Sequence, residues 1–282
     1  MIPNNSKRKP SLDTPEFDNP PVVEVACSVQ FTALTSFQTP YAGFLWQEFR
    51  DKYPKFEEKP PLPHVVEKFP EPTRPTFQAG FSELPPPRRI FFLTEDGRDV
   101  IQIQPDRFVH NWRKVKDEDE YPRYVTVREH FINDWNKFLA FSREQGLGEV
   151  APDQYELTYV NHFVEGQDWS SLADLSRLLR DVQWDARGRF LPIPERILLR
   201  CDFAMQDQRG RLHSSLKQGE RTSDGKALLV LQLTARGFPP TLMSQDPEAM
   251  LSWFDMAHEW IVRGFADLTA EWAQKNLWKR RK

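Results

Sequence analysis

The sequence predicts an α+β protein, an antiparallel curved sheet with long helices across one face, built from two similar halves. Three observations carry this. Strict apolar–polar alternation recurs along the chain, as at Val23, Val25, Cys27, Val29 and Phe31, which marks half-buried strands. Two long segments carry apolar residues at helical spacing instead. The order strand, helix, strands, helix then occurs twice, over residues 22–150 and 151–282, behind a flexible tail at 1–21. The length of 282 residues admits two domains or one unit built twice. Contents of 39% hydrophobic and 13% aromatic residues supply a core and exclude global disorder.

In chain order, residues 23–31 form the first strand, with Glu24, Ser28 and Gln30 on its polar face. Tyr41, Phe44, Leu45, Phe49 and Tyr53 are spaced as one face of a helix. Residues 76–81 read as a strand, and 90–93 and 100–104 as a hairpin around a turn at 95–98. Phe108, His110 and Trp112 alternate with Val109 and Asn111. Thr126 and Glu129 form a candidate capping box for a helix carrying Val127, Phe131, Ile132, Trp135, Phe138 and Leu139. In the second half, residues 155–163 form a strand, and Ser170 or Ser171 caps a helix with Leu172, Leu175, Leu178 and Leu179. Strands follow at 196–205, 212–218 and 227–235. Ser244 or Asp246 caps a last helix, with Pro247 at its first position, running to about 275 with Leu251, Phe254, His258, Ile261, Phe265, Leu268 and Trp272 on one face. Helices on one side of each sheet leave the other side solvated.

Proline is in excess, with 24 residues, yet 15 of these fall in two stretches, 1–21 and 54–87. Proline removes backbone donors and fixes φ, so the second stretch is neither a central strand nor a helix interior. It reads as an ordered strap over the core, anchored by Phe56, Leu62, Val65, Val66 and Phe69. The alternative is a peptide-like ligand for an aromatic groove.

The formal net charge of −3 argues against wholesale nucleic-acid binding. No run of about 18 apolar residues occurs, and the polar start with Lys7, Arg8 and Lys9 is not a secretory signal. Cys27 and Cys201 lie in alternating runs and read as buried free thiols, as in a reducing cytoplasm. No cofactor is expected. There is no Gly-x-Ser-x-Gly elbow and no glycine-rich phosphate loop between strand and helix. His110 and His130 are not spaced as a metal pair, and no Cys-x-x-Cys or His-x-x-x-His occurs, so no metal site is expected either. His258, between Phe254 and Ile261, reads as a core histidine hydrogen-bonded to the sheet.

Two surfaces remain. One is the polar sheet face, with Gln30, Gln102, Gln104, Glu156, Thr158, His162, Arg200, Asp202, Gln232 and Arg236. Its mixed charges and amides suit protein or peptide better than phosphate. The other is the basic end Lys279, Arg280, Arg281 and Lys282, which suits an acidic partner but equally a solvated helix C-terminus.

The segments Asn19-Pro20-Pro21-Val22-Val23-Glu24, Tyr155-Glu156-Leu157-Thr158-Tyr159-Val160-Asn161, and His258 with Ile261, Phe265 and Thr269 resemble a sporadically distributed family of uncharacterised bacterial proteins, over most of residues 19–280. His162 stands where that pattern leads one to expect a basic residue. The resemblance brings no activity and no catalytic residues. Its patchy occurrence implies a mobile-island or phage-defence setting. The element order is similar to TBP-like and helix-grip folds. Together these readings predict a non-catalytic binding or assembly protein of the cytoplasm, with another protein or a second copy as partner and no membrane. The alternatives are an enzyme of unfamiliar design or a nucleic-acid-binding protein using the polar sheet face.

Overall fold

Alternation in the first run becomes inside and outside as expected: Val25, Cys27, Val29 and Phe31 are fully buried beneath the helices. The computed structural model describes residues 14–70, 88–205, 209–238 and 247–281. The first half runs β1 (Val22–Phe31), α1 (Thr39–Phe49), β2 (Lys55–Lys59), β3 (Arg89–Leu93), β4 (Asp99–Gln104), β5 (Arg107–Arg113) and α2 (Tyr124–Glu144). The second half runs β6 (Pro152–Val164), a 3-10 turn at Leu172–Asp174 continued by α3 (Leu175–Leu178), β7 (Leu198–Ala204), β8 (Gly210–Glu220), β9 (Ala227–Gly237), α4 (Pro247–Leu268) and α5 (Glu271–Asn276).

These strands make one open antiparallel sheet of nine, in the order β2-β3-β4-β5-β1-β6-β9-β8-β7. The order exposes the duplication. β3-β4-β5-β1 on one side corresponds to β9, β8 and β7 with β6 on the other, and β1 and β6 pair at the centre, Cys27 opposite Leu157. β2 is the extra strand of the first half. α2 packs on β5 and β1, and α4 on β6 and β9. Aromatic rings close the first of these layers: Phe108 meets Phe138 at 5.3 Å and Trp135 at 5.4 Å between centroids. Burying one such ring contributes about 1.5–3 kcal/mol. α4 runs close to the sheet at Gly264, where a Cβ would stand 2.6 Å from Leu212 Cδ2.

Several expectations are corrected. α2 starts at Tyr124 with Arg123 as its N-cap, so Thr126 and Glu129 lie inside the helix and form no capping box. Ser171 does cap, through a reciprocal box with Asp174, but the helix it opens is short, because the chain leaves at Leu179 to form a bridge with Thr269. That bridge also ends α4. Thr269 Oγ1 donates back to the Phe265 carbonyl at 2.6 Å, and α5 begins after Ala270. The expected continuous helix to 275 is therefore two helices, and Trp272 is partly exposed beneath Arg177. Cys201 is exposed rather than buried, because β7 is an edge strand. The tail is not free up to residue 21: Phe17 is buried and pairs with Arg280. The predicted strand at 76–81 and the caps Ser244 and Asp246 lie outside the described residues.

Candidate binding surfaces

The polar sheet face is not a solvated face. Residues 61–70 of the proline strap lie across it, and the sheet grips their backbone. Gln104, at the end of β4, accepts from the Leu62 N–H and donates to the Leu62 carbonyl, both at 3.0 Å. Gln30, in β1, does the same with Val65, again at 3.0 Å for each bond. Gln154, in β6, accepts from the Glu67 N–H at 2.6 Å and donates to the Val65 carbonyl. Arg107 donates to the Pro63 carbonyl at 2.8 Å, and Arg211 to the carbonyls of Lys68 and Pro70 at 2.7 and 2.8 Å.

The reason lies in the proline content. Proline-rich chain is extended and cannot enter a sheet ladder fully, since it lacks donors. Side-chain amides supply the missing pairing one residue at a time. The two glutamine-clamped residues, Leu62 and Val65, are three apart, which is the repeat of a polyproline helix. Among the described strap residues one side chain is charged and buried: Glu67, whose carboxylate meets His213 Nε2 at 3.1 Å and Arg211 at 3.5 Å. Burial raises its pKa, but the His213 hydrogen bond and the charges of His213, Arg236 and Arg211 outweigh this and hold it low. His213 in turn reaches Asp202 at 2.7 Å.

Of the sequence-predicted face, Gln30 and Gln104 therefore hold the strap. Most of the others are tied to neighbouring strand residues. Gln102 donates to Asn111 and accepts from Arg89, each at 2.9 Å. Glu156 pairs with Arg236 at 2.6 Å. Thr158 shares a hydrogen bond with Thr234 at 3.0 Å, and Gln232 donates to Thr234 at 3.2 Å. His162 has its pKa lowered by burial and by Arg221, so it is neutral near pH 7. Arg200 and Asp202 sit apart from these, on the edge strand β7. In the basic end, Arg281 pairs with Asp18, and Arg280 donates to Gln274 at 2.6 Å, so both arginines serve the fold. Lys279 takes a positive φ of 54° there, and Lys282 lies outside the described residues.

On the helix face, α2 and α4 both line a cleft of about 1330 Å³. Three pairs of its polar groups are internal: Tyr121 with Tyr159 and Tyr159 with His258, each at 2.9 Å, and Arg128 with Asp255 at 2.8 Å. The core-histidine reading of His258 is thus right in its partner, a tyrosine of β6. Burial raises the phenols of Tyr121, Tyr124 and Tyr159 above their ordinary value, so they stay neutral.

The two sheet edges differ. β2, Lys55–Lys59, is fully exposed but charged, and its ions pair locally, Lys59 with Glu57 at 2.8 Å. β7 is exposed along almost its whole length, with Leu198 at 73% and Phe203 at 41%. Phe190, Leu191 and Ile193, just before it, are exposed as well. Alternation at 196–205 gave no sign of this, because an edge strand alternates like a central one. Comparison of the chain with protein-family models, with curated proteins and with solved structures finds no match.

Proposed function

We propose that this protein is a non-catalytic assembly protein whose unit is a pair of identical chains joined at β7. The observation that carries the reading is the sequence of that edge, which pairs with no further strand among the described residues, Leu198-Leu199-Arg200-Cys201-Asp202-Phe203-Ala204. An antiparallel pairing of two copies centred on Cys201 sets Arg200 opposite Asp202 twice, Leu199 opposite Phe203 twice, and Cys201 opposite itself. Opposite charges and apolar pairs directly across a ladder are each favourable by about 0.2–1 kcal/mol. The same operation on β2, centred on Glu57, sets Glu57 against Glu57 and Lys55 against Lys59, and like charges so placed repel. One edge is thus protected against self-pairing and the other is complementary to itself. A two-fold pair of this kind is the commonest form of closed assembly. A mobile-island or phage-defence setting belongs to the same proposal.

Sedimentation of the purified chain is expected to show a dimer. Mild oxidation is expected to link it through Cys201, and Cys201→Ser to abolish the link. Arg200→Asp, which faces Asp202 with a second acid, is expected to give monomers. Arg200→Asp with Asp202→Arg is expected to restore the dimer. A wild-type monomer at all concentrations, or a dimer indifferent to Arg200→Asp, overturns the reading.

A further inference from the structure

We propose that Asp99, His110 and His130 bind a divalent transition-metal ion of the zinc type, on the helix face of the first half. The three come from different elements. Asp99 opens β4, His110 is central in β5, and His130 lies in α2. β4 and β5 pair with Asp99 opposite Trp112 and Ile101 opposite His110. Asp99 and His110 are therefore diagonal neighbours on one face of the sheet. One ligand atom of each residue lies within 4.8 Å of those of the other two.

Two of the ligand-atom distances are close to those around an ion. Asp99 Oδ1 stands 3.7 Å from His110 Nε2 and 3.5 Å from His130 Nδ1. A tetrahedral ion with bonds of about 2.0–2.1 Å spaces its ligand atoms about 3.3–3.4 Å apart.

The decisive atom is His110 Nε2. The His110 side chain is fully buried, and among the described residues its Nε2 has no hydrogen-bond partner. Its other nitrogen is committed, since Nδ1 meets Asp134 Oδ2 at 2.9 Å. With Nδ1 turned to that carboxylate, Nε2 is the ring atom left to face the Asp99 carboxylate. A proton or a metal ion on Nε2 would satisfy both groups, and the metal is the reading tested below. A carboxylate behind a histidine, fixing its tautomer and turning its free nitrogen toward the ion, is the usual outer shell of a metal site. Asp134 is itself held by Tyr53 Oη at 2.5 Å and by Lys52 at 3.7 Å. The backbone N–H of Asp99 donates to Thr94 Oγ1 at 3.1 Å, which fixes the start of β4.

The donor set selects the ion. Two imidazoles and one carboxylate suit zinc, cobalt or nickel. They do not suit magnesium or calcium, which need mostly oxygen. Three protein ligands leave a fourth position. Asp99 and His130 are partly exposed, 19% and 36%, so that position opens to water, as in zinc sites that take a substrate.

The test uses the untagged full chain, stripped with chelator and titrated with Co(II) and with Zn(II). Expected are one equivalent bound, a tetrahedral cobalt spectrum, and a rise in Tm with zinc. His130→Ala and Asp99→Asn are partly exposed changes that leave the fold intact, as circular dichroism checks. Each is expected to weaken binding by tenfold or more. Asp134→Asn is expected to weaken it about 10–100-fold by releasing the tautomer. His162→Ala, on the opposite face, is expected to change nothing. Absence of stoichiometric binding, an octahedral hydrated cobalt spectrum, or binding that survives His130→Ala and Asp99→Asn overturns the site.

Discussion

His258 stacks on Tyr124 with ring centroids 4.0 Å apart and bonds to the Tyr159 hydroxyl. Burial pushes its pKa down to about 3. The unfolded chain takes up the proton near its ordinary pKa of about 6.5, and the folded chain does not until far lower. His258 therefore costs nothing above about pH 6.5. Between there and pH 3 it draws on stability by up to about 1.4 kcal/mol per pH unit. His258→Gln keeps a hydrogen-bonding group without the titration. Urea unfolding at pH 7 and pH 5 is expected to show a loss for the wild type that is smaller by about 2 kcal/mol in the variant. Equal losses would refute the assignment. The sequence placed His258 on an apolar stripe but could not place Tyr124 beneath it, since that contact spans the two halves.

The strap shows what an element does when it cannot complete its own hydrogen bonds. Its backbone is recognised by Gln30, Gln104, Gln154, Arg107 and Arg211, much as a groove recognises a bound peptide. Gln30→Ala removes both bonds to Val65, and each is worth about 0.5–1.5 kcal/mol. Hydrogen exchange is expected to show residues 61–70 opening about 1–3 kcal/mol more easily, with the core strands unchanged. Unchanged protection of the strap would mean that the prolines alone hold it. Composition flagged this segment, and its anchors were half legible. Gln30 and Gln104 stood out as polar residues at outward positions of strands. Gln154, Arg107 and Arg211 did not, because nothing local tells which outward residue a distant strap will cross.

For the whole molecule, the duplication does not give two domains. β1 and β6 pair along most of their lengths, Val25 opposite Tyr159 and Val29 opposite Tyr155, and buried residues of both halves form one core. Either half alone would expose a central strand edge with an apolar face, which favours aggregation. A chain cut between 150 and 151 is expected to give two pieces that fail to fold separately and reassemble when co-expressed. Cooperative unfolding of the piece 22–150 alone would count against a single folding unit.

Local periodicity determined the α+β class, the element order and the twofold repeat, because strands and helices announce themselves within ten residues through which side must be apolar. It also located the strap, since proline's limits are covalent. The tertiary structure decided everything that depends on which elements become neighbours. It made β7 an edge and so exposed Cys201. It laid the strap over Gln30 and Gln104. It brought His110 and His130, 20 positions apart and unremarkable as a spacing, to one point with Asp99. Sheet order and helix placement are long-range choices, and a functional cluster built across them leaves no local trace.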